Sequence, residues 1–167
     1  LEYLLEAMPK IIKNTNASLL IVGEFWHGKK EYLDLINKLG INDRVVIIDR
    51  YIPNEDVEIY FKAADLVILP YVSGTGSGIA QLALGFEKAL VATDAGCLPE
   101  VVQDGKTGYV VKRMDSDAIA DAVIRFVENR KSEEFQKNIK EHSLRFSWDN
   151  ITSEIEKILD LQKRNET

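Results

Sequence analysis

Four short apolar runs constrain this chain more than anything else in it. They are Ala17–Val22, which ends at Gly23, Val45–Ile48, Leu66–Leu69 and Ala89–Ala92. None alternates apolar with polar residues, so each must be covered on both faces, the condition of strands in a parallel sheet. The segments between them carry helical spacing. Leu1, Leu4, Leu5, Met8, Ile11 and Ile12 mark the first helix; Tyr32, Leu33, Leu35, Ile36 and Leu39 mark the second, which stops at Gly40 in the position of a C-terminal glycine cap. A helix between successive strands lets them run the same way. The pattern predicts strands over 17–22, 44–48, 65–69, 89–92 and 108–111, in an α/β domain of three layers with a mainly parallel sheet of five members.

Further elements complete the pattern. A short helix is expected over 55–63 with Asn54 as its N-cap, then a strand, turn, helix and strand over 65–93, then a single helical turn ending near Gln103. Asp104-Gly105 and Thr107-Gly108 are turn pairs beside the last strand. Beyond it the chain reads as helix: 115–129, capped by Asp115 or Ser116 and apolar at Ile119, Ala122, Val123 and Phe126; a polar surface helix over 132–144; and 149–162, with Ile151, Ile155, Ile158 and Leu159 in a stripe and Trp148 as a packing anchor. The first residues lie inside a helix with no cap or initiator Met ahead. The expectation is one domain over 1–167, with 132–167 as C-terminal helices, belonging to a longer protein.

In parallel sheets, ligands sit outside the carboxyl ends of the strands. Four loops leave those ends, at 23–28, 49–54, 71–78 and 93–100. The third carries Gly74, Gly76 and Gly78 and opens a short helix, so bare backbone meets unpaired N–H groups at the positive end of a helix dipole. Such a seat suits an anion, a phosphate above all, on the N–H groups from Gly76 to Ile79. Thr75 and Ser77 can add hydroxyl donors. The alternative is a tight strand-to-helix turn with no ligand.

Charge limits the partners. Lys and Arg total 21 against 27 Asp and Glu, a net charge of -6, so no basic surface for nucleic acid is advertised. Cys97 stands alone, and His27 and His142 are too few and too far apart for a metal cluster. No apolar run reaches the roughly 20 residues that cross a bilayer, and no secretion signal is present. The default is a cytoplasmic protein.

Read in order, several pieces resemble one known family: Leu4–Ile11, Leu20–Gly23, Arg44-Val45 followed by Tyr51–Pro53, Ala64-Asp65 with Leu69-Pro70, Val91–Asp94, and Gly96–Val102 with Asp104–Gly108. Together they are similar to the C-terminal half of a retaining glycosyltransferase of the GT-B fold, within the group of capsule, lipopolysaccharide and sucrose-phosphate transferases called group 1 or family 4. The resemblance implies a Rossmann-like α/β/α donor domain that binds a nucleotide-diphosphate sugar. The base would lie near Arg50, Tyr51 and Ile52, the loop at Gly23 would share the rim, and the diphosphate would lie on the loop of Thr75, Gly76, Ser77, Gly78 and Ile79. A separate N-terminal domain of the same protein would bind the acceptor. Implied with it are retaining transfer of a hexose to a saccharide or lipid-linked acceptor in polysaccharide biosynthesis, no cofactor besides the donor, and membrane contact only through the other half. Phosphate contacts serve such chemistry because charge builds on the leaving diphosphate.

This sequence departs from the family in two ways. The family carries two Glu with seven residues between them across the loop and helix; here Thr75 and Ala83, or in the next register Gly74 and Leu82, stand there. Gln81 is the nearest polar group, either a ribose ligand or a solvated helix residue, and Glu87 stands where the family prefers glycine. Glu100 reads as a helix cap or a sugar ligand, and His27, Trp26 and Phe25 as ligand cover or plain loop. In the family a strand and a loop with an Arg and a Lys clamp precede the first helix, ahead of Leu1, so the isolated chain is expected to transfer little or no sugar. The alternatives are a glycosyltransferase-like interaction domain without catalysis and an unrelated nucleotide-binding module. The last lacks its usual Gly-x-Gly-x-x-Gly after a first strand, and no acidic cluster for a phospho-acceptor is present either.

Overall fold

A computed structural model describes residues 1–129, 131–143, 152–153 and 155–158. The strands are β1 (Leu19–Val22), β2 (Val45–Ile48), β3 (Leu66–Leu69), β4 (Ala89–Thr93) and β5 (Gly108–Val111). The helices are α1 (Glu2–Asn14), α2 (Lys29–Leu39), α3 (Asn54–Ala63), α4 (Gly78–Gly85), α5 (Leu98–Val101), α6 (Ser116–Glu128) and α7 (Ser132–Ser143). Strand and helix alternate as the apolar runs require. Among the described residues no helix is long and apolar enough to cross a membrane.

Every strand pairing is parallel. The five strands form two ladders and not one: β1 with β2, Leu19 opposite Val45, and β3 with β4 and β5, Ile68 opposite Val91 and Ala92 opposite Val110. The expected five-membered sheet is corrected in this respect, because α3 carries the chain from β2 to β3 without bringing β3 beside either strand of the first ladder. β4 is buried at all of its residues, as a strand with neighbours on both sides and helices on both faces should be.

Local departures have local causes. β1 starts two residues later than expected because the Thr15 hydroxyl donates to the Ile11 carbonyl (2.8 Å) and accepts the Ala17 N–H (3.2 Å), keeping Ala17 in the turn from α1. Asn54 is the first residue of α3 and not its cap; Pro53 takes the cap position, with its fixed φ of -57°. Gly40 ends α2 at φ 65°, in the left-handed conformation that glycine adopts without strain, and Asp115 caps α6 by accepting the Ala118 N–H at 2.9 Å.

The core forms where the helices meet the sheets. α1 buries Leu4, Leu5, Ala7, Met8 and Ile11 and lies against α2 and α6; Lys10 reaches Asp117 (2.9 Å) and Asp121 (2.8 Å) on α6. α7 proves less superficial than its polar composition suggests: Phe135 and Ile139 are fully buried, and the Phe135 ring meets Tyr109 edge-on at 5.4 Å. Residues 152–153 and 155–158 are helical as expected, but Ile155 and Ile158 are exposed. Trp148, Ile151 and Leu159 lie outside the described residues.

Candidate functional site

Because all strands run the same way within each ladder, the loops after β1 and β2 share one rim, and so do those after β3 and β4. Each pair is tied together. At the first rim the Gly23 N–H donates to the Ile48 carbonyl (3.0 Å), and the Phe25 N–H donates to Asp49 Oδ1 (3.0 Å). Lys29 forms an ion pair with the other oxygen of Asp49. The Lys29 ammonium first, and the Phe25 N–H second, hold the Asp49 carboxyl below the usual carboxylate range. Gly23, at φ 124°, makes the turn that this close approach needs. Tyr51 stands 67% exposed and Trp26 84% exposed, so two aromatic faces are open here, while Ile52 is half-buried. Arg50 donates to the Tyr60 hydroxyl at 3.2 Å.

At the second rim the glycine loop is braced from beneath. The Thr93 hydroxyl, buried at the end of β4, donates to the Tyr71 carbonyl at 2.6 Å. The Cys97 N–H donates to the Thr75 carbonyl at 3.1 Å. Gly96 sits at φ 55°, and a side-chain carbon there would lie 2.3 Å from the Gly74 carbonyl oxygen, so the two loops touch backbone to backbone. Thr93, Gly96 and Cys97 were not among the site residues read from the sequence. Only Gly96, in a turn-forming Asp-Ala-Gly-Cys stretch, carried a local signal.

The loop leaves its amides open. Ser77 caps α4 by accepting the Ala80 N–H (3.2 Å) and shares a hydrogen bond with the Tyr71 hydroxyl (3.1 Å), so its oxygen serves the helix start before any ligand. The N–H groups of Gly76, Ser77, Gly78 and Ile79 have no acceptor among the described residues. Thr75, Gly76, Gly78 and Ile79 are exposed. Gly78 is not needed by the chain itself: its φ is outside the left-handed region, and a side-chain carbon there would meet nothing within 4 Å. Open N–H groups at the N-terminus of an eight-residue helix are the kind of arrangement on which an anion can rest.

Other assignments sort themselves by position. Gln81 is exposed on α4. Ala83 is fully buried, and neither α4 nor the loop ahead of it offers a carboxylate. Glu87 follows α4 at φ 56° and pairs with Gln136 (3.0 Å) on α7, away from the loop's amides. No hydrogen bond joins the 49–52 loop to the 74–79 loop among the described residues. Groups of three or more metal-ligating side chains are absent among them too.

The family described as glycosyl transferases group 1 matches residues 1–143. A Methanocaldococcus jannaschii protein named as an uncharacterised glycosyltransferase is 31% identical over 157 residues, covering 92% of this chain and 40% of its own length. Among solved structures, sucrose-phosphate synthase from Thermosynechococcus elongatus superposes with a TM-score of 0.80 at 22% identity, covering 98% of this chain and 42% of that one. An Anabaena protein solved in complex with UDP gives 0.79 at 22% identity, covering 95% and 44%. The fold is therefore that of one half of a GT-B glycosyltransferase. The chain spans less than half the length of these proteins.

Proposed function

This chain belongs to the group 1 glycosyl transferases, and from that premise we propose that it holds the nucleotide-diphosphate part of a sugar donor. The observation that carries the reading is the open set of N–H groups from Gly76 to Ile79 at the start of α4, beside a glycine that the chain does not need for its own packing. These donors meet the diphosphate oxygens and stabilise the charge that grows there as the glycosidic bond breaks. Tyr51 and Ile52 offer surface for the base, Arg50 a charge beside it, Gly23 a close backbone approach, and Thr75 and Gln81 polar groups toward phosphate and ribose. The uridine nucleotide bound to the Anabaena relative makes UDP the first probe.

On the same reading, the full-length protein transfers a hexose with retention to a saccharide or lipid-linked acceptor bound by its N-terminal domain. It works in the cytoplasm, in polysaccharide biosynthesis, and meets the membrane only through that domain. The residues described here supply no carboxylate to the donor sugar from the loop or α4. That same lack favours a second reading, a transferase-like domain that has lost catalysis and binds a partner. Turnover of nucleotide sugars by the full-length protein separates the two. Activity that drops at least tenfold in Thr75→Val or Gln81→Ala supports the enzyme; silence with uridine, guanosine and adenosine donors alike supports the partner domain.

A further inference from the structure

The glycine loop is closed by two of its own hydroxyls. Tyr71 opens the loop and Ser77 ends it at the N-cap of α4, and their side-chain oxygens stand 3.1 Å apart. Tyr71 is fixed at both ends. Its carbonyl accepts the hydrogen bond from the Thr93 hydroxyl at 2.6 Å, from a residue only 1% exposed, and its half-buried side chain packs against the core. The phenol therefore meets Ser77 from a set position, before any ligand arrives.

Counting protons makes the pair more than a clasp. A serine hydroxyl has one proton to give and two lone pairs to accept with. Ser77 Oγ already accepts the Ala80 N–H at 3.2 Å. The two hydroxyls carry two protons between them, and the bond that joins them uses one. The other has no acceptor among the described residues. Which residue keeps the spare proton follows from their chemistry: a phenol is the stronger acid and weaker base of the two, so Tyr71 donates and Ser77 Oγ accepts a second time. Both lone pairs of Ser77 are then engaged, and its own O–H must point away from Ala80 and Tyr71 alike. Two bonds donated into the oxygen also polarise that O–H and strengthen it as a donor.

We propose that Tyr71 is a positioning residue for the donor nucleotide: by filling the second lone pair of Ser77 it makes the Ser77 hydroxyl an obligatory donor to the diphosphate. The proposal rests on the donor reading above and adds a residue to it. Ser77 stands within the run of open N–H groups from Gly76 to Ile79, so its proton joins theirs. With no lone pair left to accept from a ligand, Ser77 Oγ takes an anionic oxygen and refuses a ligand's hydroxyl or amine proton. Thr93 serves the same end at one remove, since its bond to the Tyr71 carbonyl sets where the phenol starts.

Calorimetry with UDP on the full-length protein tests it through a double-mutant cycle. Tyr71→Phe keeps the ring and its packing and should lower UDP affinity roughly three- to tenfold, the share of one hydrogen bond. In a Ser77→Gly background the effect of Tyr71→Phe should shrink to within about twofold, because glycine still serves as N-cap at little cost but leaves no hydroxyl to orient. In Ser77→Thr, which keeps the hydroxyl, the effect should persist. A Tyr71 that only stiffens the loop would cost affinity equally in all three backgrounds. UDP affinity unchanged by Tyr71→Phe, or a loss of one size with and without the Ser77 hydroxyl, overturns the proposal; where UDP still shifts the amides of residues 76–79, the donor site itself stands. UDP that binds without moving those amides overturns the donor reading, and this proposal with it.

Discussion

Gly78→Ala separates the needs of the fold from those of a ligand. The added methyl meets no atom of the chain within 4 Å, and Gly78 is the first residue of α4 with φ outside the left-handed region. The fold should therefore gain from the substitution, by about 0.5 kcal/mol, because alanine loses less backbone freedom on entering a helix. For a chain of this size that is a rise in Tm of roughly 1–2 °C. A bound diphosphate feels the opposite effect, since the methyl stands beside the open N–H groups of residues 76–79. Losing one charge-assisted hydrogen bond costs about 1.5–3 kcal/mol, or roughly a ten- to hundredfold loss of affinity. Differential scanning fluorimetry without ligand and calorimetry with UDP read the two effects in one pair of full-length proteins. UDP affinity unchanged in a variant that keeps its Tm would refute the placement of the anion; a fall in Tm without ligand would refute the reading of open space at Gly78.

Three further outcomes follow from the packing and electrostatics. Gly108→Ala places a carbon 2.0 Å from the Leu90 carbonyl oxygen in the β4–β5 ladder, and should cost about 3 kcal/mol or more, read as a lower urea midpoint. Glu87→Gly releases a left-handed residue at φ 56° and gives up a hydrogen bond from Gln136 and a long surface ion pair with Lys140 (4.0 Å), so a net gain of about 0.5–1 kcal/mol is expected from denaturant unfolding. Asp49 has a folded-state pKa lowered from 3.8, so its stabilisation of the first rim is fully present above about pH 4 and is lost as pH falls through the lower folded value. The Phe25 amide resonance should report that loss on acidification, and Asp49→Asn should abolish the transition.

Much of this was legible in the chain itself, and for identifiable reasons. Runs such as Ala89–Ala92 admit one environment, so a parallel α/β domain follows from them, and Gly40 marks a helix end because few other residues adopt its φ without strain. The open amides of residues 76–79 also follow from local sequence, a glycine loop running into a helix. What escaped was non-local. Thr93 reads as a strand residue, and only the approach of β3 to β4 turns its hydroxyl into the brace of Tyr71. Cys97 and Gly96 matter through a loop some twenty residues away in sequence. The division into two ladders is likewise invisible to periodicity, since β1 and β3 are as apolar as β4 and differ only in what stands beside them.

The central claim is that the amides from Gly76 to Ile79 hold an anionic diphosphate, and NMR titration of the 15N-labelled full-length protein with UDP tests it most directly. The account predicts saturable downfield proton shifts that are largest at Gly76, Ser77, Gly78 and Ile79, with smaller changes at Tyr51 and Ile52. Saturable UDP binding that leaves those four amides unmoved while others shift would contradict it.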